Sequence, residues 1–396
     1  MEPAHTDIKS SNTFERLAIP PLTALKPINP GWEEREIDRL RNRLQAMHQE
    51  SIQGYSGELA SETKRLARKA RKEGVKIAVE TPVRWLNGQS GGSICRKMYS
   101  ELLTQLGQLG LSVKTYPISK DNSLKARPAR ENRLLFSYHS AGEGDQIWRI
   151  KESHIPPFFS WDRFGFSGWS TLARSTESFN VCREIDDTHA SQFANSLRER
   201  VQRERITKYA QGAETTMLPD SPYVFFAMQV PGDLVMAHSR LDQRALLQAL
   251  VQIADERRET LVVKRHPLCK CPETALALSD AQKSPYVRVS NGHIYDLIQH
   301  AQCVVVTNSG VGMEALLQNK PVFTLGAADY QFATYQASFV EELVSAFNGP
   351  RPKLNQELLN QFITLYFGAY CIDASNPKSI EGNIAIALKE WLTHAS

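Results

Sequence analysis

Twice along this chain, short apolar runs rich in β-branched residues alternate with amphipathic stretches of helical period. The first series begins at VKIAVE (Val75 to Glu80), passes the loop NGQSGGS and the helical ICRKMYSELLTQLGQLG, and continues with LSVKTYPI and RLLFSYHS. The second begins at YVFFAMQV (Tyr223 to Val230) and the helical SRLDQRALLQALVQIADERRE. It runs on through TLVVKRHP, VRVSN, IYDLIQHA, CVVVTNS, GMEALLQN and PVFTLG. Strand, helix and strand in succession need a crossover connection, which sets the strands parallel with helices on the sheet faces. The expected fold class is therefore α/β, with two doubly wound domains facing a cleft. A chain of 396 residues with 41% hydrophobic content exceeds one ordinary core and is apolar enough for two. The domains are expected at 75–215 and 216–396, preceded by an arm and helices over 1–74.

Residues 1 to 30 are rich in proline, serine and threonine without a sustained period and read as a loosely ordered arm. From Trp32 to Gly74, Ile37, Leu40, Leu44 and Met47 recur at helical spacing among many Arg and Glu, which predicts two helices around QGYSG with a solvated charged face. Ala190 to Pro222 is expected to carry a helix and the interdomain linker. Leu354 to Tyr370 and Ser379 to His394 read as helices closing the second domain. Charge narrows the partners: a formal net charge of +4, with basic and acidic residues interspersed, gives no basic patch for nucleic acid. No apolar stretch approaches the ~20 residues of a membrane helix. MEPAHTDIKSSNTF lacks the blocks of a signal peptide, and six cysteines are sparse for this length, so a cytoplasmic protein is expected.

Four motifs carry candidate chemistry. In TNSGVGME, Thr307, Asn308 and Ser309 offer side-chain donors and Gly310 an open amide at the carboxyl end of a strand, where a bare turn suits an anion. Gly312 would keep that approach clear, and Glu314 one turn on can accept from a ribose hydroxyl. An ordinary helix cap at Asn308 or Ser309 explains the same turn. The pattern is neither G-x-G-x-x-G nor a P-loop. In VVKRHPLCKC, Lys264, Arg265 and His266 follow a strand that Pro267 ends, and the imidazole can neutralise a phosphate or move a proton near neutral pH. A metal site of His266, Cys269 and Cys271 is the alternative, although a fourth ligand at recognisable spacing is missing. In FAMQVPGDLVM, an apolar strand ends in Gln229, Pro231, Gly232 and Asp233, either a plain turn or a carboxylate aimed into the cleft. In KESHIPPFFSWDRFGFSGWS (Lys151 to Ser170), aromatic density in a loop suggests a surface for sugar rings. Its acids Glu152 and Asp162 are candidates for general acid or base work, with burial raising their pKa.

Taken in chain order, KESHIPPFFSWDRFGFSGWS, QVPGD, KRHP and TNSGVGMEALLQNKPVFTLGAADY, over roughly Lys151 to Tyr330, resemble the bacterial retaining β-Kdo transferases of capsule and O-antigen assembly. The likeness is weak before Val75 and after Ser338. The His-Pro element is also similar to that of two-domain bacterial sialyltransferases, and HPLCKC departs from the pattern, where a small residue often follows. The resemblance implies two Rossmann-like domains in the GT-B-like arrangement and transfer of Kdo from CMP-β-Kdo to a sugar acceptor of a surface polysaccharide or lipopolysaccharide, with retention. Asp233 would be the nucleophile of a double displacement. His266, Ser309 and Gly310 would stabilise the departing CMP phosphate, with Lys264 and Asn308 beside them, and Glu152 would activate the acceptor hydroxyl. Gln229, Ser167, Gly168 and Trp169 would form the donor-sugar pocket, and His293, Ile294 and Glu314 would hold cytosine and ribose. No metal and no cofactor is implied beyond the donor. The implied acceptor is a lipid-linked glycan at the inner face of the inner membrane, met beside other glycosyltransferase modules. A CMP-sugar or UDP-sugar enzyme of the same fold, such as a sialyltransferase or an epimerase, and a non-catalytic glycan-binding module are the competing readings.

Overall fold

The computed structural model describes residues 28–50, 55–83, 93–118, 124, 132–144, 146–211 and 218–394. The expected arm up to residue 27 and the loop NGQSGGS up to Gly92 lie outside them. The first sheet contains β1 (Lys76–Pro82), β2 (Val113–Ile118), β3 (Arg133–Tyr138), β4 (Ile147–Glu152) and β5 (Phe158–Asp162). The second contains β6 (Tyr223–Ala227), β7 (Leu261–Lys264), β8 (Val287–Val289), β9 (Ala301–Val306), β10 (Val322–Thr324) and β11 (Tyr335–Gln336). A late strand, β12 (Cys371–Asp373), returns to the first sheet.

The second sheet has the order β11-β10-β9-β6-β7-β8 with every pair parallel. This is the doubly wound order in which the chain reverses direction between the first and fourth strands, here β6 and β9. All residues of β6, β7 and β10 are buried, as expected of parallel strands covered on both faces. The first sheet has the order β12-β5-β4-β3-β1-β2, in which β2, β1, β3 and β4 are parallel and β5 and β12 run antiparallel to their neighbours. The fold is thus α/β with two Rossmann-like domains, and the carboxyl ends of both sheets face one cleft.

Several expectations need correction. The chain does not end in the second domain: β12 pairs with β5, and the helix Pro377–His394 packs Ile380, Ile384, Leu388 and Trp391 into the first domain's core. The helices Pro272–Ala281 and Val340–Asn348 occupy stretches in which no element was expected. The first buries only Thr274, Leu278 and Ala281, too thin a stripe to stand out as a period. The aromatic motif is two strands joined by a tight turn rather than a loop. Phe158, Phe159, Trp161 and Phe164 are core residues, and of the motif's aromatics only Phe166 lines the cleft.

The charged helix α1 (Pro30–Glu50) is not simply solvated either. Glu36, Arg39 and Arg43 are buried. The Glu36 carboxylate pairs with Arg39 at 2.8 Å and with Arg163 at 2.7 Å, and Arg163 also pairs with Glu390 of the last helix. The Arg163 guanidinium lies 4.5 Å from the Trp148 ring centroid. A charge run read along one helix therefore becomes an internal ion network, because Arg163, just after β5, meets it where water is excluded and links it to Glu390 of the last helix.

Candidate active site in the interdomain cleft

The cleft has a volume of about 570 Å³ and is lined by strand ends of both domains. Three of its walls come from the second sheet on either side of its switch point, where ligands of open α/β sheets bind. After β6, Val230, Pro231, Gly232 and Asp233 form a tight turn closed by the Asp233 N–H donating to Val230 O at 3.2 Å. Gly232 has φ +80°, the value that the third residue of a type II turn requires and that side chains resist. The turn delivers Asp233 to the cleft with an exposed carboxylate that accepts one hydrogen bond, from Val235 N at 3.3 Å. Asp233 is thus both a turn residue and an open carboxylate.

After β7, His266 lines the cleft beside Tyr209, whose ring meets it edge-on with centroids 4.9 Å apart. The Leu268 N–H donates to His266 Nδ1 at 3.1 Å, which leaves Nε2 as the protonated donor. Burial lowers the His266 pKa, Asp233 opposes this and Lys264 adds to it, so the neutral ring is favoured. Lys264 lines the cleft and donates from Nζ to the carbonyls of Asn291 and Gly292, so it fixes the loop that leads into Ile294. Ile294 reaches the cleft, but His293 does not line it. His293 caps the helix Ile294–His300, its Nδ1 accepting from Tyr295 N at 3.2 Å.

After β9, Asn308, Ser309 and Gly310 line the cleft. Asn308 and Gln229 are spent on each other: Gln229 Nε2 donates to Asn308 Oδ1 at 3.0 Å, and Asn308 N donates to Gln229 Oε1 at 3.1 Å. This amide pair ties the ends of β6 and β9 together, whereas Ser309 and Gly310 line the cleft outside it. Gly310 has φ −54°, so its glycine concerns space rather than backbone strain. Gly312 does not keep a ligand path open. A methyl there would fall 2.5 Å from the Tyr330 hydroxyl, which donates to Ser309 O. Glu314 lines the cleft, and burial pushes its carboxyl up to about 8 against the pull of Lys208 and Lys264, so near neutral pH it can donate as well as accept.

The first domain supplies the opposite wall. Ser167 has φ +49°, and its hydroxyl is buried without a hydrogen-bond partner among the described residues while the residue lines the cleft. A strained residue with an unspent donor on a cleft wall is a candidate ligand contact. Gly168 and Trp169 lie outside the lining. They pack on His238, five residues beyond Asp233, with the Trp169 and His238 ring centroids 4.2 Å apart. Asp162 also lies outside. It accepts from the N–H groups of Phe164, Gly165 and Thr171 and organises the turn that carries Ser167.

Glu152 lines the cleft, but its expected pKa shift is reversed. Burial would raise it, yet Lys151 and Lys208 outweigh burial and hold the carboxyl well below the usual carboxylate range. Its oxygens accept from Lys151, from Tyr138 Oη at 2.9 Å and from Cys95 Sγ at 3.2 Å. Lys208 was not among the expected site residues. It comes from the interdomain segment, donates to Glu152 O at 3.1 Å, and burial together with Lys151 lowers it to about 8. His154 and Asp329, also missed, pair at 2.7 Å and both line the cleft. Both lie inside motifs singled out from the sequence, but 175 residues separate them. His266, Cys269 and Cys271 do not assemble a metal centre, and no group of three or more His, Cys, Asp or Glu side chains among the described residues has that geometry.

His238 permits a stability test. Burial, aided by Arg174, pushes it down to about 4 from an ordinary 6.5, and its Nε2 is buried without a hydrogen-bond partner among the described residues. Between those values the unfolded chain binds a proton that the folded chain refuses, so stability must fall as pH drops through that window and be unaffected above it. Urea denaturation at pH 7 and pH 5 should show a smaller acid loss in His238→Gln than in the wild type; equal losses would show that His238 does not carry it.

Residues 178–364 match the family of capsule polysaccharide biosynthesis proteins. That match covers just under half of the chain, and includes the Asp233, His266 and Ser309 turns but not Glu152, His154 or Ser167. Protein FixF of Sinorhizobium fredii is 33% identical over 162 residues, which are 39% of this chain and 39% of that protein, so the similarity spans about two fifths of the curated relative. Among solved structures, two from Thermosulfurimonas dismutans KpsC are similar. The β-Kdo 2,4 transferase is 15% identical over 78% of this chain and 98% of its own, with a TM-score of 0.47. The β-Kdo 2,7 transferase is 16% identical over 76% and 92%, with a TM-score of 0.44. No helix of the described residues is long and apolar enough to cross a membrane.

Proposed function

We propose that this chain is a glycosyltransferase that moves Kdo from CMP-β-Kdo to a sugar acceptor of a bacterial surface polysaccharide, with retention of the β configuration and through an Asp233 glycosyl ester. The observation that carries this reading is the open Asp233 carboxylate at the switch-point turn, sharing one cleft with the His266 and Ser309–Gly310 donors. An anomeric carbon that bears its own carboxylate ionises through an oxocarbenium-like state, which a carboxylate can trap from one face while donors stabilise the phosphate leaving from the other. Ser167 and Lys208 supply further donors to an anionic sugar, Ile294 and Glu314 face the nucleoside, and the reaction needs neither cofactor nor metal. The family match over 178–364 supports a polysaccharide acceptor. We place the reaction in the cytoplasm, on a lipid-linked glycan at the inner face of the inner membrane and beside other glycosyltransferase modules.

Incubation with CMP-Kdo, CMP-sialic acid and UDP-sugars tests the donor. CMP release from CMP-Kdo alone is expected. Turnover of another donor in its place would overturn the Kdo reading, and glycan binding without turnover of any donor would make the chain a binding module.

A further inference from the structure

We propose that His154, oriented by Asp329, is the general base that takes the proton of the acceptor hydroxyl, an inference that rests on the double displacement proposed above. In such a reaction the nucleophile occupies one face of the anomeric carbon, and the acceptor enters on the face that the leaving group has vacated. The base must therefore stand beside the leaving phosphate, at the Ser309–Gly310 turn and away from Asp233. His154 stands at that turn: a methyl placed on Gly310 would lie 3.1 Å from its Nδ1. Its other nitrogen, Nε2, is 2.7 Å from Asp329 Oδ1, and Tyr366 Oη donates to Asp329 Oδ2 at 2.9 Å. With the carboxylate accepting from Nε2–H, the lone pair is on Nδ1, turned to the turn. The ring is held between Tyr330, edge-on at 5.3 Å, and Tyr366, stacked at 6.1 Å. The side chains are 13% and 4% exposed, enough for the imidazole to meet a substrate while the carboxylate stays behind it.

Glu152 suits this task less well. Its carboxylate is engaged by Lys151, Tyr138 and Cys95, and the neighbouring ammonium groups hold its proton affinity low. In the deglycosylation step the acceptor oxygen bonds to the anomeric carbon while the ester C–O bond to Asp233 breaks and returns its electron pair to the carboxylate. The acceptor proton passes to His154 Nδ1, giving an imidazolium stabilised by Asp329, and then to water. Asp329 touches no substrate and is a positioning residue.

The test needs no identified glycan, since water can serve as the acceptor. Wild-type protein with CMP-Kdo should release one equivalent of CMP in a burst and continue at the rate of ester hydrolysis. In His154→Ala and His154→Gln the burst should persist, the later rate should fall about 10²-fold or more, and the Asp233 adduct should accumulate in intact mass. Azide, a nucleophile with no proton to lose, should restore turnover in these variants and in Asp329→Asn, which a merely structural defect would not allow. Two His154 variants that hydrolyse at the wild-type rate, or that lose burst and turnover together while still binding CMP, would overturn His154 as the base and leave the donor reading standing. A wild-type protein that releases no CMP from CMP-Kdo would overturn both.

Discussion

Asp233→Asn should still bind CMP and lose transfer by a factor on the order of 10⁴ or more. The amide keeps an oxygen that can accept the Val235 N–H, and the turn itself is closed by backbone atoms and by Gly232, so the fold and the phosphate site should be undisturbed. What disappears is a carboxylate able to form a glycosyl ester. Wild-type protein given CMP-Kdo should gain the mass of one Kdo residue, mapping to the peptide that contains Asp233, and the Asn variant should gain none. Migration of the sugar to His266 is the one rearrangement to watch for, and the structure disfavours it. His266 Nδ1 is engaged by the Leu268 N–H and Nε2 carries the proton, so neither nitrogen presents a lone pair until that contact breaks. An unmodified wild type that turns over, or an Asn variant with full activity, would point to same-face substitution and remove Asp233 from the reaction.

How far the sequence reaches can be judged from single residues. Asp233, His266 and Ser309 were legible because each follows a short apolar strand directly, and parallel strands of one sheet necessarily end on the same edge. The strand and helix alternation gave both Rossmann-like domains for the same local reason. Illegible were the features made by contact across the chain. The exit of β12 and the last helix into the first domain depends on which core has room for Ile372 and Trp391, and nothing in their local pattern says so. Phe158 and Trp161 looked like a sugar platform because alternation is blurred when a strand is buried on both faces. Asn308 and Gln229 looked like ligand donors because side-chain type is visible in sequence and its partner is not. The reversed shift at Glu152 has the same origin. Lys208 reaches it from 56 residues away, and it is the field of Lys151 and Lys208 that turns a carboxyl expected to hold its proton into one that readily gives it up.

His266→Ala should lower turnover by about 10²- to 10⁴-fold without unfolding the protein, because the ring is at a strand end and faces the cleft. His266→Gln then decides what the imidazole does. If His266 acts as a neutral donor to the leaving phosphate, as the Leu268 N–H on Nδ1 implies, the glutamine amide can place an N–H near the position of Nε2 and should recover a substantial part of the lost rate. If it instead shuttles a proton, glutamine has no titrating group and should be as slow as alanine. The readout is the rate of the CMP burst in a single turnover, since phosphate stabilisation acts on bond cleavage to CMP and leaves the later hydrolysis of the ester unchanged. Near-normal bursts in His266→Ala would return the residue to packing against Tyr209 and leave Ser309 and Gly310 as the groups that must carry the phosphate alone.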